Sequence, residues 1–116
     1  MTVVVQNDTD DELRVDGAVV LRGDWDEVQT PQHDQRVPAR SSVAWATRSS
    51  KLGAGTSGYL RLASPRGFVT LRWELPWTGA PVASIDSTGE GWRTKLRLET
   101  EVPDSVVVAV TIRFRE

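Results

Sequence analysis

Cysteine is absent from the 116 residues of this sequence. The chain can therefore form neither disulfides nor thiolate zinc sites, and it has no cysteine nucleophile. Histidine occurs once, as His33, and no nucleophile-elbow glycine pattern accompanies it. The acidic run from Asp8 to Glu12 lacks the alternating ligands and the glycine of a calcium loop. We therefore expect no enzyme activity, no cofactor and no metal site.

Long apolar runs and concentrated positive charge are also missing. The longest apolar run, Val106 to Val110, is far shorter than the roughly 20 residues of a membrane-spanning helix. The first residues, Met1 to Gln6, have neither the basic nor the long apolar segment of a secretory signal. A net charge of -2 argues against a nucleic-acid partner. We expect a soluble protein that is made in the cytosol and either stays there or leaves by a non-classical route.

Helical periodicity is not found in any window of about eleven residues. Short runs with a period of two recur instead, separated by turn signals. The last run places five residues on one face: Val106, Val108, Val110, Ile112 and Phe114. Asp16-Gly17 is a dipeptide typical of a two-residue hairpin turn. The sequence predicts an all-β fold, an antiparallel β-sandwich that forms a single domain over residues 1–116.

The stretch from Gly53 to Trp77 is the most informative part of the chain. After a glycine-rich turn it alternates, turns at Ser64-Pro65-Arg66-Gly67, and returns with Val69, Leu71 and Trp73 on one side. Glu74 has the opposite parity, and Pro76 ends the run because proline cannot donate to a ladder. The pattern predicts a β-hairpin that carries an aromatic and acidic tip.

Five tryptophans, against one tyrosine and two phenylalanines, are the unusual feature of the composition. Trp45 and Trp73 share parity with aliphatic neighbours, which predicts that both lie in the core. Trp25, Trp77 and Trp92 stand at strand ends beside glycine, proline or acidic residues. Each of these three rings either contacts a ligand or membrane or anchors a loop in the core, and the sequence favours neither alternative.

Outward arginines on several predicted strands could form a basic stripe: Arg61, Arg72, Arg97 and Arg113. Glu74, Glu99 and Glu101 are close to them in sequence. We therefore expect a solvated sheet face with ion pairs rather than a nucleic-acid-binding surface.

Two segments together resemble a known family. Gly55-Thr56-Ser57-Gly58-Tyr59 followed by Trp73-Glu74-Leu75-Pro76-Trp77 resembles the aegerolysins, small lipid-binding β-sandwich proteins of fungi and bacteria. Fungal members carry a Gly-Thr-x-Gly turn and a Trp-Asp-Cys-Pro-Trp-like segment at a similar distance. This chain has Glu74 and Leu75 where that pattern has aspartate and cysteine. The opening strand, Met1 to Asn7, and the segment Leu21 to Trp25 extend the resemblance over nearly the whole chain.

The resemblance implies a bacterial-type member that binds membrane lipids such as sphingolipids or ceramide phosphoethanolamine. Several aegerolysins are targeting components of two-component cytolytic pores with a perforin-like partner, and some bacterial relatives are insecticidal. We expect this chain to act peripherally at target membranes, as a lipid-binding, haemolysin-like toxin component.

The candidate lipid-binding residues combine aromatic rings with a carboxylate. Rings and a nearby carboxylate suit the cation of a choline or ethanolamine headgroup, and indoles settle at the headgroup level of a bilayer. The candidates are Trp77, Glu74, Trp25, Trp92 and Tyr59. A glycan-binding, lectin-like sandwich is the alternative, since sugars also stack on exposed tryptophans.

Overall fold

A computed structural model of the chain describes residues 1–22, 24–26, 30–48, 56–75, 82–102 and 105–114. These residues form ten β-strands. Among them there is no helix long and apolar enough to cross a bilayer. The strands are β1 (Thr2–Asn7), β2 (Leu13–Arg22), β3 (Asp24–Trp25), β4 (Arg36–Val37), β5 (Ser41–Arg48), β6 (Thr56–Ser64), β7 (Gly67–Leu75), β8 (Val82–Ser87), β9 (Trp92–Val102) and β10 (Ser105–Phe114).

The strands form two five-stranded sheets that pack face to face. Sheet 1 has the order β3-β5-β1-β10-β9, and sheet 2 has the order β4-β2-β6-β7-β8. Inward rows with a period of two fill the space between them, which is the arrangement that alternating sequences favour. The prediction of an all-β sandwich is confirmed.

One strand pair departs from the predicted antiparallel arrangement. β1 is antiparallel to β5 but parallel to β10, with Thr2 opposite Val107 and Asn7 opposite Ile112. Parallel neighbours need a long crossover, and here the crossover is the rest of the sandwich between β1 and β10. Pairing between strands so distant in sequence leaves no local turn signal that could reveal its direction.

Asp16-Gly17 does not form the predicted hairpin turn. β2 runs unbroken through both residues, and its partner β6 places Leu62 opposite Val15 and Arg61 opposite Gly17. Asp16 is therefore the additional residue of a β-bulge, a feature that shares its preference for glycine with tight turns. The Asp16 carboxylate lies 2.7 Å from a guanidinium nitrogen of Arg61.

The hairpin predicted after the glycine-rich turn is present as β6 and β7. The pair runs from Thr56 opposite Leu75 to Ser64 opposite Gly67. The core contains both tryptophans predicted for it, since Trp45 is 1% exposed and Trp73 is 3% exposed. The last strand also presents the predicted inward row, and the buried members of that row are Val108, Val110 and Ile112.

Asn7 is the fully buried polar residue that joins the two sheets. Its Nδ2 donates to the carbonyls of Asp11, Val37 and Pro38 at 2.9, 3.0 and 3.1 Å. Its Oδ1 accepts from the backbone N–H and from the hydroxyl of Thr9. The amide thus provides hydrogen-bond partners for the turn that follows β1 and for the backbone carbonyls at the end of β4.

Replacement of Asn7 by alanine should lower the free energy of unfolding by roughly 2–4 kcal/mol, because several buried groups lose their partner at once. Gln6→Ala is the matched control, since the Gln6 amide donates to Asp8 near the surface. That control should change stability by less than about 0.5 kcal/mol. Denaturant unfolding of both variants measures the difference, and equal stabilities would contradict the role given to Asn7.

Candidate functional site

Most of the predicted site residues lie at one end of the sandwich. Here β7 ends at Leu75, β8 begins at Val82, and β6 begins at Thr56. Ser57, Glu74 and Val82 form one row in register across these three strands. We call this end of the sandwich the Glu74 end. Trp77 follows β7 by two positions in the sequence and lies outside the described residues.

Glu74 points to the outer face of sheet 2 and is exposed, as its parity predicts. It lines a shallow groove of about 170 Å³ together with Arg72, Val82 and Ser84. Among the residues that the structure describes, none forms an ion pair with the Glu74 carboxylate.

Tyr59 lies on the same outer face as Glu74. It is half-buried and stands opposite Arg72, whose guanidinium carbon is 5.9 Å from the centre of the tyrosine ring. Because Glu74 is opposite Ser57, Tyr59 and Glu74 are diagonal neighbours, with Cα atoms about 7–8 Å apart. The structure thus brings these two candidates together.

Trp25 lies between the sheets at the Glu74 end. It belongs to the short strand β3 rather than to the loop predicted there, and it pairs with Thr47 of β5. Its ring meets Trp73 edge to face, with centroids 5.6 Å apart. The ring is half-buried and packs against the core, so the structure combines anchoring with partial access.

Gly58 makes room for this tryptophan pair. A Cβ at position 58 would lie 2.8 Å from the Trp73 ring and 2.2 Å from the carbonyl oxygen of Val19. Both contacts are too short for any side chain. Gly58, the last residue of the Gly-Thr-Ser-Gly segment, is therefore required, because the Trp73 ring and the Val19 carbonyl leave no room for a side chain.

Four buried polar atoms at the Glu74 end have no hydrogen-bond partner. They are the indole N–H groups of Trp25 and Trp73 and the hydroxyls of Thr47 and Thr56. Each such group costs about 1–3 kcal/mol when it stays unpaired, and native proteins keep few of them. Among the described residues, all four occur at this one end.

Two exposed aliphatic residues also lie at the Glu74 end. Leu21 is 74% exposed and Val82 is 60% exposed. Sequence periodicity missed Leu21, because β2 has a second irregularity between Val20 and Arg22 that breaks the alternation at that point. Val82 begins β8, and no local signal identified it. Regular strand pairing is interrupted at Leu21 and only begins at Val82, so the alternation of residues carries no information at either position.

Trp92 lies at the opposite end of the molecule. It is 9% exposed, packs edge to face on Phe114 at 5.1 Å, and donates its indole N–H to the Thr88 carbonyl at 2.9 Å. Thr88 is hydrogen-bonded to Phe68 at the start of β7, and Glu74 is six residues further along that strand, about 20 Å away. Of the two rings that the fold could bring to Glu74, Trp25 or Trp92, only Trp25 lies at that end, and the Trp92 ring packs into the core.

Metal binding finds no support in the described part of the chain, where no group of three or more His, Cys, Asp or Glu side chains is placed to hold an ion. The polar groups of the Glu74 end include the carboxylates of Glu74 and Asp24, the guanidinium of Arg72, hydroxyls and indoles.

Comparison with known proteins identifies the architecture. The structure superposes on RahU, an aegerolysin-family protein from Pseudomonas, with a TM-score of 0.71 over 99% of this chain and 96% of RahU. This chain has the aegerolysin fold. The two sequences are 15% identical, so the likeness is one of fold. No model of a known protein family matches the sequence, and no curated protein matches it.

Stability measurements can distinguish the core tryptophans of this chain from the exposed Glu74. Trp73→Ala and Trp92→Ala should each lower the free energy of unfolding by about 3–5 kcal/mol, because each empties a core site. Glu74→Gln should leave it within about 0.5 kcal/mol of the parent, because the side chain is exposed. Thermal or denaturant unfolding measures all three, and a Glu74→Gln protein as unstable as the tryptophan variants would contradict the assignment.

Proposed function

We propose that this chain is a peripheral lipid-binding protein that docks on a membrane through the Glu74 end. The observation that carries the proposal is the combination of exposed Leu21 and Val82 with the unpaired carboxylate of Glu74. Exposed apolar side chains favour the apolar boundary of a bilayer, and a carboxylate favours a cationic headgroup. These properties occur together at one end of the sandwich.

The size of the exposed apolar surface suits reversible binding. Complete burial of one aliphatic or aromatic side chain contributes roughly 1.5–3 kcal/mol. Leu21 and Val82 together would therefore contribute at most about 6 kcal/mol, before the cost of association. Binding of this strength holds a protein at a surface, and the choice among lipids then depends on the polar groups.

A choline or ethanolamine headgroup fits those polar groups. Its ammonium is attracted both to the Glu74 carboxylate and to aromatic faces, for which Tyr59, Trp25 and Trp77 are the candidates. Sphingolipids and ceramide phosphoethanolamine carry these headgroups.

RahU provides chemical support for an amine ligand. It was crystallised in complex with Tris. Tris carries an ammonium group and three hydroxyls, a small polar cation comparable to ethanolamine. The aegerolysin resemblance further suggests that the lipid-bound protein is the targeting component of a two-component cytolytic or insecticidal system with a perforin-like partner.

Removal of the exposed apolar side chains should weaken membrane binding without destabilising the fold. Leu21→Ser and Val82→Ser should each raise the apparent dissociation constant for sphingomyelin or ceramide phosphoethanolamine vesicles about tenfold or more. Phe68→Ser is the matched control, because Phe68 is 38% exposed at the opposite end of the sandwich. Vesicle sedimentation measures all three variants. Equal loss of binding in the control would contradict docking through the Glu74 end.

Substitutions in the proposed headgroup site should separate binding from stability. Glu74→Gln should weaken binding to vesicles with choline or ethanolamine headgroups, because it removes the charge that attracts the ammonium. Trp77→Ala should cost about 1–3 kcal/mol of binding and shift the melting temperature only slightly. A Trp77→Ala protein that melts as low as Trp73→Ala would place Trp77 in the core. Binding to immobilised glycans but to no sugar-free vesicle would favour the lectin alternative.

A further inference from the structure

The outer face of sheet 1 has a second groove, which is separate from the Glu74 end. Its volume is about 420 Å³, which is in the range of binding sites for small molecules. It lies beside the end of β1 that Asn7 occupies, whereas the Glu74 end adjoins the first residues of β1. The lining residues are Asp8, Arg93, Thr94, Lys95, Thr111 and Arg113.

Strand register concentrates positive charge in this groove. Arg93 stands directly opposite Arg113, and Lys95 stands directly opposite Thr111. Like charges in directly opposed positions destabilise a pair of strands. This arrangement therefore works against stability unless an anion lies between the side chains.

The negative charge within the groove does not balance the positive charge. Asp8 is the acidic residue of the lining, and its carboxylate lies 3.8 Å from Nε of Arg113 and accepts a hydrogen bond from Gln6. Among the described residues, neither Arg93 nor Lys95 has a carboxylate within ion-pair distance. Three cations against one carboxylate leave a local charge of about +2 in a chain whose net charge is -2.

The other arginines show how unusual this cluster is. Six of them form ion pairs with a carboxylate on the protein itself: Arg14, Arg36, Arg40, Arg61, Arg66 and Arg97. The expectation of a solvated face with ion pairs concerned Arg61, Arg72, Arg97 and Arg113. Among the described residues, Arg61 pairs with Asp16, Arg97 with Glu99 and Arg113 with Asp8, whereas Arg72 forms no ion pair. The groove departs from this expectation because it gathers cations that the chain does not neutralise.

We propose that this groove binds a phosphate group. The group belongs either to dissolved phosphate and small phosphomonoesters or to the headgroup of an anionic phospholipid. Guanidinium groups from two strands suit the tetrahedral arrangement of phosphate oxygens, Lys95 adds a point charge, and the Thr111 hydroxyl is an additional donor. The proposal does not depend on lipid docking at the Glu74 end, because different residues form the two sites.

Phosphate titration tests the groove directly. With inorganic phosphate added at constant ionic strength, the backbone amide resonances of β9 and β10 should shift, and the melting temperature should rise above that in chloride. Lys95→Gln should raise the dissociation constant about tenfold or more, because it removes a charged contact. Arg36→Gln is the matched control, an exposed arginine on β4 that pairs with Glu12.

Arg93→Gln provides a second test, in which the melting temperature without phosphate and the response to phosphate should change in different directions. Without phosphate it should melt at the same temperature as the parent or higher, because it removes the repulsion with Arg113, yet it should lose the response to phosphate. A merely structural role for Arg93 would instead lower the melting temperature in every buffer. This result would overturn the proposal even if Lys95→Gln behaved as expected.

Vesicles distinguish the two sources of phosphate. Phosphatidylcholine vesicles with and without phosphatidic acid are compared by sedimentation for the parent, Lys95→Gln and Arg36→Gln. Binding that requires phosphatidic acid and is lost in Lys95→Gln identifies a lipid source, whereas a response to inorganic phosphate alone identifies a dissolved ligand. The proposal is overturned if neither probe binds, or if Arg36→Gln reduces binding as much as Lys95→Gln.

Discussion

The buried amide of Asn7 determines how the chain passes between its two sheets. The side chain closes the turn after β1 through Thr9 and Asp11, and it also holds the end of β4 through the carbonyls of Val37 and Pro38. β1 lies at the centre of sheet 1, and β4 lies at the edge of sheet 2. One residue therefore connects the central strand of one layer to the edge strand of the other through buried hydrogen bonds.

The two ends of the sandwich satisfy their polar groups differently. Away from the Glu74 end, Asn7 is fully bonded and Trp92 donates to Thr88. At the Glu74 end, the indoles of Trp25 and Trp73 have no partner. Proteins commonly sacrifice stability at functional sites and compensate for it elsewhere. Among the described residues, the Glu74 end is therefore the less completely hydrogen-bonded end of the sandwich.

Sequence periodicity predicted those parts of the fold that depend on neighbouring residues. The alternation around Trp73 placed that ring in the core and Glu74 outside, because side chains on a strand point to opposite faces in turn. It could not predict the end of the sandwich at which Trp92 lies. The sequence shows that Trp92 begins a strand, but not where that strand starts in the folded sandwich. Leu21 was missed because an irregular step in the ladder interrupts the alternation.

Pairing of β1 with β10 has a consequence for the order of folding. Residue 2 lies beside residue 107, so sheet 1 cannot be completed until the last strand has been synthesised. The hairpin of β6 and β7 needs only local contacts and can form much earlier. Closure over such a long loop slows folding, and until it happens β1 offers an unpaired edge to other chains. Assistance by chaperones during synthesis would therefore benefit sheet 1 far more than sheet 2.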